Sequence, residues 1–231
     1  MDFINKTALK VDWATYEASK YACVNWHYSG SMPVGKIVKI GIWENGLYIG
    51  CILFSRGSVY NIGSPYRLGT TEVCELTRIA MTKHSTPVSR ILSIAIKFLH
   101  KNSHGLRLVV SYADPDQGHH GGIYQAGNWI YTGEVESGKS ILINGKDVHR
   151  RSIFNIFGTS SVAKLKKNNG ISIVHGKCRF KHKYLMPLDH AMRDQIGSLS
   201  KPYPKRTMPG KKLDSEYPSD QGGAVPTSRL Q

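Results

Sequence analysis

The stretch that decides the fold runs from Val109 to Gly133 and reads VVSYADPDQGHHGGIYQAGNWIYTG. The run from Leu106 to Tyr112 is short, apolar and β-branched, which predicts a buried strand. A second, aromatic strand is predicted over Trp129–Thr132, after a short amphipathic turn. Polar side chains gather between the two strands, namely Ser111, Asp114, His119, His120 and Tyr124. Ligands of open α/β sheets bind where a strand ends and a helix begins, so the stretch also predicts a site.

The rest of the first half alternates strands and helices. Asp12 can cap a helix from Trp13 to about Trp26. The other predicted elements are strands at Ile37–Trp43, Leu47–Phe54 and Val73–Met81 and a helix at Ser89–Lys101. Asn45-Gly46 predicts a hairpin between the first two strands. In the strand Val73–Met81, Glu75 and Arg78 are three residues apart and are expected on opposite faces. The order predicts an α/β fold with a mixed, mostly antiparallel central sheet flanked by helices.

The second half is less regular and strongly basic. Its predicted elements are a strand at Ile141–Ile143, helices at His149–Phe157 and Ser161–Lys167, and a basic hairpin of Ile171–Val174 and Arg179–Met186. Lys201–Gln231 is rich in Pro, Lys and Gly and is expected to be mobile. We therefore divide the chain into a core at 1–145, a basic nucleic-acid-binding extension at 146–200 and a mobile basic tail at 201–231.

Charge indicates the kind of partner. The net charge is +15 with a sequence pI of about 9.7. Between Lys146 and Lys212, sixteen Lys and Arg residues face three acids, so this segment carries +13 of the total. A solvated basic tail is one interpretation. Aromatic residues interleaved with the basic ones favour nucleic acid instead. The candidate contacts are Arg150, Arg151, Lys164, Lys166, Lys167, Arg179, Lys181 and Lys183.

Other classes of protein fit the composition poorly. The four cysteines have no CxxC spacing, which indicates reduced thiols in a cytosolic protein and no zinc site. No apolar run approaches the ~18 residues of a membrane span. The N-terminal residues contain no signal h-region. We expect a soluble intracellular protein with no membrane partner.

Several residues have side chains suited to proton transfer. His27 and Tyr28 follow the first predicted helix, where a His can also be only a cap or a packed side chain. Asp114 with Tyr124 is a candidate acid/base pair, although Asp114-Pro115 can be simply a turn. His119 and His120 are adjacent and point apart on regular backbone, which disfavours a metal site. The loop at 82–90 can bind phosphate through backbone N–H groups at a helix start.

A strand that leads into such a loop and helix resembles a GNAT-type acyltransferase. The usual GNAT loop has a Gln/Arg-x-x-Gly-x-Gly/Ala pattern, whereas residues 82–90 read TKHSTPVSR. A more specific resemblance is to the phage Mom proteins, a divergent GNAT-like family that modifies adenine in phage DNA. In chain order it is carried by His27-Tyr28-Ser29, ELTRIA at 75–80, Ser89-Arg90 with Ser93-Ile94-Ala95, Ser111-Tyr112-Ala113-Asp114, and Tyr124 with Gly127. These motifs cover roughly residues 20–133.

The resemblance implies conversion of adenine in DNA to N6-(methylcarbamoyl)adenine, which protects the DNA from host restriction. It implies that the reaction cleft contains His27, Tyr28, Asp114 and Tyr124. It implies that the acyl-CoA side contains Arg78, Ile79, Ala80, Ser89 and Arg90. The implied cofactor is acetyl-CoA or a related acyl-CoA. An iron has been proposed for the family, and its only candidate ligands here are His27, His119, His120 and Asp114. They form no clean facial triad, so we assign no metal ligand.

The implied substrate is double-stranded DNA in the cytoplasm of an infected bacterial host, and a homodimer is left open. The resemblance also implies a GNAT-like sheet with the basic extension added to it. Two other functions remain open. One is a GNAT-type N-acetyltransferase acting on a protein or a small-molecule amine, which the basic charge disfavours. The other is a non-catalytic DNA-binding protein, which the clustered polar loop disfavours.

Overall fold

The computed structural model describes residues 8–57, 61–148, 153, 157–159, 161–167 and 171–205. Its strands are β1 Leu9–Trp13, β2 Ile37–Glu44, β3 Leu47–Ser55, β4 Val73–Met81, β5 Leu108–Ala113, β6 Ile130–Ile143, β7 Lys146–Val148 and β8 Ile173–Pro187. Its α-helices include α1 Tyr16–Trp26, α2 Val88–Lys101, α3 Gly122–Gln125, α4 Val162–Lys166 and α5 His190–Gly197. Of the helices in these ranges, none combines the length and apolar character that crossing a bilayer requires.

One sheet contains all eight described strands, in the order β1-β2-β3-β4-β5-β8-β6-β7. The neighbours β4 and β5 are parallel, and the other described pairs are antiparallel. The predicted α/β class, with a mixed and mostly antiparallel sheet flanked by helices, is confirmed. The Asn45-Gly46 hairpin is also confirmed, because both residues adopt the positive φ that a tight hairpin turn requires.

The first helix starts later than the sequence suggests. Residues 9–13 form β1, which pairs with β2, and Asp12 lies within that strand. The helix N-cap is Thr15, whose Oγ1 accepts a hydrogen bond from the N–H of Ala18 at 3.1 Å. The predicted Asp12 cap is therefore wrong. Asp12 accepts instead from the N–H of the next residue, Trp13, at 2.8 Å, a local bond that leaves the strand intact.

Helix α2 packs on one face of the sheet, which we call the α2 face. Its buried residues recur at helical spacing and are Ile91, Leu92, Ala95, Ile96 and Leu99. They pack against alternate residues of the strands, including Ile52, Phe54, Leu76 and Val109. Because side chains alternate along a strand, the residues between these point to the opposite face.

The opposite face, which we call the α1 face, is covered in two places. Helix α1 packs on β3 and β4 through Ala22, Cys23, Cys51, Leu53 and Ala80. Helix α5 and residues 62–68 pack on β5 and β8 through a second cluster that includes Val110, Leu185 and Met192. The two covers meet above the neighbouring strands β4 and β5, and we call the α1 face of these two strands between the covers the open region.

Strand β8 places part of the predicted basic extension inside the central sheet. It was expected as a hairpin of two short strands, but it is continuous over Ile173–Pro187 and lies between β5 and β6. Residues 173–197 therefore belong to the central sheet and its core, and the boundary drawn at 145 falls at the β6–β7 turn. A smaller cluster around Ile141, Ile153 and Leu165 packs α4 against the far ends of β6 and β8. Most of the expected helix at 149–157 and of the tail at 201–231 lies outside the described residues.

Candidate active site

A β-bulge in β4 places Glu75 and Arg78 on the same face of the sheet. Arg78 lies opposite Leu53 of β3, and Glu75 lies opposite Ser55. Leu53 and Ser55 are two residues apart and share the α1 face. The extra residue in β4 is Thr77, whose hydroxyl donates to the Leu53 carbonyl at 2.9 Å. The expectation that Glu75 and Arg78 point to opposite faces is therefore wrong, because the alternation is interrupted between them.

The parallel pair β4–β5 separates part way along its length. Backbone pairing begins at Val73 with Leu108 and stops at Leu76 with Ser111, although β4 continues to Met81. Over 77–81, β4 pairs with β3 on one side, and among the described strands none pairs with its other side. The result is a wedge-shaped opening between β4 and β5. Backbone N–H and C=O groups along such an opening can pair with an extended ligand.

Ser111 and Tyr124 lie at the closed end of this opening, and both are buried. The Ser111 hydroxyl is 2.8 Å from the Tyr124 hydroxyl and 3.2 Å from the Leu76 carbonyl. It has one proton, so it can donate to only one of them at a time. Burial is the main cause that raises the pKa of Tyr124 to about 12. At neutral pH Tyr124 is therefore a hydrogen-bond donor and not a base.

The end of α1 brings His27 and Tyr28 over the open region. The backbone N–H of Ser29 donates to His27 Nδ1 at 3.1 Å, so the proton of the neutral ring is on Nε2. Burial first, then the positive charge of Arg78 and the neighbouring His119, lower the pKa of His27 to about 4. His27 is therefore neutral at pH 7 and can donate through Nε2.

Tyr28 lies between the α1 end and the loop after β5. Its ring centroid is 4.2 Å from that of His27 and 5.7 Å from that of His119. Its pKa is raised by desolvation first and by the Asp114 carboxylate second, while Arg78 opposes the shift. The residue nonetheless remains 60% exposed. An exposed aromatic ring at the rim of a polar region is suited to stacking on a planar ligand.

Three basic side chains of β8 form a row on the α1 face. Arg179, Lys181 and Lys183 are alternate residues of one strand, and together we call them the basic row. Lys181 Nζ is 3.3 Å from Asp114 Oδ2. Arg179 Nε is 3.7 Å from a carboxylate oxygen of Asp116. Lys183 Nζ lies over the Tyr66 ring, 5.1 Å from the ring centroid, and burial lowers the pKa of Lys183. The basic row therefore runs directly into the open region.

The structure brings together the four residues expected in the reaction cleft, His27, Tyr28, Asp114 and Tyr124. Arg78 lies on the α1 face with His27, Tyr28 and Asp114, whereas Tyr124 packs in the cluster of the α2 face and reaches the opening through its hydroxyl. The other residues expected on the acyl-CoA side lie elsewhere. Ala80 is fully buried under α1, and Ile79 packs toward the α2 face. Ser89 and Arg90 are in the first turn of α2.

The remaining nucleic-acid candidates form a second basic group. Lys164, Lys166 and Lys167, which we call the α4 lysines, are exposed on and beside α4. Arg150 and Arg151 lie outside the described residues. Within the described ranges, no group of three or more His, Cys, Asp or Glu side chains could hold a metal ion. The candidate iron ligands His27, His119 and His120 therefore do not form a ligand set within these ranges.

Glu44 is a residue that the sequence did not suggest. Its carboxylate accepts hydrogen bonds from the N–H of Ser85 at 2.8 Å and from the N–H and hydroxyl of Thr86 at 2.8 and 2.6 Å. Both Glu44 and Thr86 are buried. These hydrogen bonds, that of the Thr86 hydroxyl foremost, lower the pKa of Glu44. The two residues are far apart in sequence, and a Glu before an Asn-Gly turn has no local signal of this role.

Three solved structures resemble this chain, each at 10% identity. A protein assigned as an acetyltransferase from Acinetobacter baylyi has a TM-score of 0.45 and covers 80% of this chain and 95% of its own. YncA of Salmonella typhimurium, assigned as an acetyltransferase and solved with acetyl-CoA, scores 0.43 with coverages of 79% and 95%. FeeM, an N-acyl amino acid synthase from uncultured soil microbes, scores 0.43 with coverages of 84% and 97%.

Nothing about chemistry follows from structural likenesses of this degree, and no curated protein matches the sequence. The sequence also matches the model of a protein family. The match begins in β1 and ends after α5, so it includes the opening between β4 and β5, the α1 end, the loop after β5 and the basic row. This match, over residues 8–205, shows that the chain belongs to the Mom protein family.

Proposed function

We propose that this protein is a transferase that modifies the exocyclic amine of adenine in double-stranded DNA. In this proposal the product is N6-(methylcarbamoyl)adenine, and the modification protects phage DNA from restriction in the host cytoplasm. The observation that carries the proposal is the ion pair between Lys181 and Asp114. It joins a row of basic side chains suited to phosphates to the cleft that contains the catalytic candidates.

The arrangement suits a base that has been flipped out of the duplex. The exocyclic amine of adenine is stacked and paired in DNA, and extruding the nucleotide requires about a few kcal/mol. Phosphate contacts of the basic row can supply part of that energy. The exposed ring of Tyr28 can then stack on the extruded base, which favours binding of adenine in the open region.

Three side chains have complementary chemical roles in this proposal. The lone pair of the adenine amine is delocalised, so the amine reacts only as a proton leaves it. Asp114 is the acceptor for that proton, and Lys181 holds its carboxylate in place. Tyr124, protonated at neutral pH, donates a hydrogen bond toward oxygen that becomes negative in the transition state. Neutral His27 can add a second donor through Nε2.

The identity of the acyl donor is constrained by two features. The opening between β4 and β5 suits an extended, amide-containing arm such as that of an acyl-CoA. In the loop before α2, Glu44 already occupies the N–H groups of Ser85 and Thr86, so these two are not available to the diphosphate of that cofactor. We therefore assign residues to the DNA substrate and derive no step through the cofactor.

The test is modification of a plasmid in cells that express the protein. Nucleosides from the plasmid are analysed by mass spectrometry, and protection is measured with adenine-sensitive restriction enzymes. We expect modified adenine with the parent and a loss of about 10²–10⁴-fold with Asp114→Asn or Tyr124→Phe. The control is Asp12→Asn, which removes a carboxylate from β1 at the far edge of the sheet. Unmodified DNA with the folded parent protein, or full activity of both variants, would contradict the proposal.

A further inference from the structure

The loop before α2 already contains an anion, and it comes from the chain itself. Glu44 ends β2, and its carboxylate reaches the loop at residues 85–86 through three hydrogen bonds of 2.6–2.8 Å. The carboxylate is buried, so the bonds are shielded from water. Such short bonds to an ionised acceptor are among the stronger hydrogen bonds in proteins.

Backbone N–H groups just before a helix commonly bind phosphate, because they point outward and the helix dipole favours negative charge. In this loop the N–H groups of Ser85 and Thr86 are taken by Glu44, and Pro87 has no N–H to offer. A phosphate could use the first two only by displacing the carboxylate. Displacement would leave a buried charge without its donors, next to a second negative group.

We propose that Glu44 restricts how this protein binds the phosphate groups of an acyl donor, by occupying the N–H groups of Ser85 and Thr86 in the loop before α2. Phosphate groups then make no bond to the N–H groups of Ser85 or Thr86, and any backbone contact at this helix start falls to its first turn, at Val88 and Ser89. This inference rests on the proposed acyl transfer for its biological meaning. The occupation of the loop itself is a property of the folded chain and is tested without DNA.

The exposed basic side chains near the loop do not alter this inference. Lys83 and Arg90 are both exposed, and they can attract phosphate by charge alone. Attraction between exposed charges is screened by salt, whereas hydrogen bonds to fixed backbone groups persist. Measurements at high ionic strength therefore separate the two kinds of binding.

The experiment uses the full chain, labelled with ¹⁵N, and follows the amide signals of Ser85 and Thr86 by NMR. Inorganic pyrophosphate and acetyl-CoA are added separately at high salt. In the parent we expect no saturable shift of either signal. In Glu44→Ala the two N–H groups are free, and we expect saturable shifts with pyrophosphate at an affinity at least about tenfold above the parent. Glu17→Ala, which removes an exposed carboxylate from α1, is the control for net charge.

Saturable shifts of Ser85 and Thr86 in the parent would overturn the proposal, whichever of the two probes causes them. Equal affinities of the parent and Glu44→Ala for pyrophosphate would also overturn it. Should Glu44→Ala fail to fold, Glu44→Gln removes the charge at nearly constant volume and is compared in the same way. The proposed function is tested separately, by mass spectrometry of the plasmid nucleosides, so its failure is distinguishable from failure of this inference.

Discussion

Replacing His27 with Asn should make the protein more resistant to mild acid than the parent. The pKa of His27 is about 4 in the folded protein, against an ordinary value of 6.5. The unfolded chain therefore binds the proton more tightly, and protonation favours unfolding. Since each pKa unit corresponds to 1.36 kcal/mol, the parent loses about 3 kcal/mol by about pH 4. By the same linkage the loss is about 1.4 kcal/mol at about pH 5.5 and close to zero at about pH 7.5.

The assay is urea unfolding of both proteins at several pH values in this range. Asn places an oxygen near the position of Nδ1, so it can still accept from the N–H of Ser29. Other histidines titrate in both proteins, and their effects cancel in the difference between the two free energies of unfolding. That difference should shift in favour of the variant by about 1.4 kcal/mol between about pH 7.5 and about pH 5.5. A constant difference, or an NMR titration of His27 near its ordinary pKa, would refute the reasoning.

Three further predictions concern packing and charge. Gly121→Ala should destabilise the protein by several kcal/mol more than Gly118→Ala in thermal unfolding; both residues have positive φ, but only a Cβ at 121 overlaps the buried Tyr184 ring. Leu185→Ala in β8 should cost about 2–5 kcal/mol in urea unfolding, and the exposed Phe180→Ala less than about 1. Neutralising the basic row should reduce the magnitude of the slope of log K for DNA binding against log salt concentration by about 3. The same variant should no longer modify DNA. The same change at the α4 lysines should lower affinity but spare modification; equal loss of modification in both variants would contradict the assigned cleft.

Elements with strong local signals could be predicted from the sequence. The β2–β3 hairpin follows from Asn45-Gly46, and α2 follows from its apolar period and the proline before it. The position of β1 could not be predicted, because its pairing with β2 is a long-range contact that overrides the helical pattern beginning at Trp13. Strand β8 was expected as two short strands because its pairing with β5 and β6 has no local signature.

The candidate site could be predicted only in part, because some of its contacts also depend on long-range pairing. Positions at element ends and the family resemblance predict four site residues, and the fold brings them together. They are His27, Tyr28, Asp114 and Tyr124. The face of Arg78 was not foreseen, since it depends on a bulge at Thr77 that a single extra residue creates. The contact of Glu44 with the loop before α2 joins parts of the chain 41 and 42 residues apart.

The place of β8 in the sheet has a consequence for the synthesis of this protein. β8 is the last of the described strands to be made, yet its two neighbours, β5 and β6, are made well before it. While a ribosome translates the segment from Ile143 to Ile173, the facing edges of β5 and β6 have no strand between them and are open to other nascent chains. Slower translation of this segment prolongs that interval. Chaperones that bind unpaired strands should therefore raise the yield of folded protein while this segment is being translated.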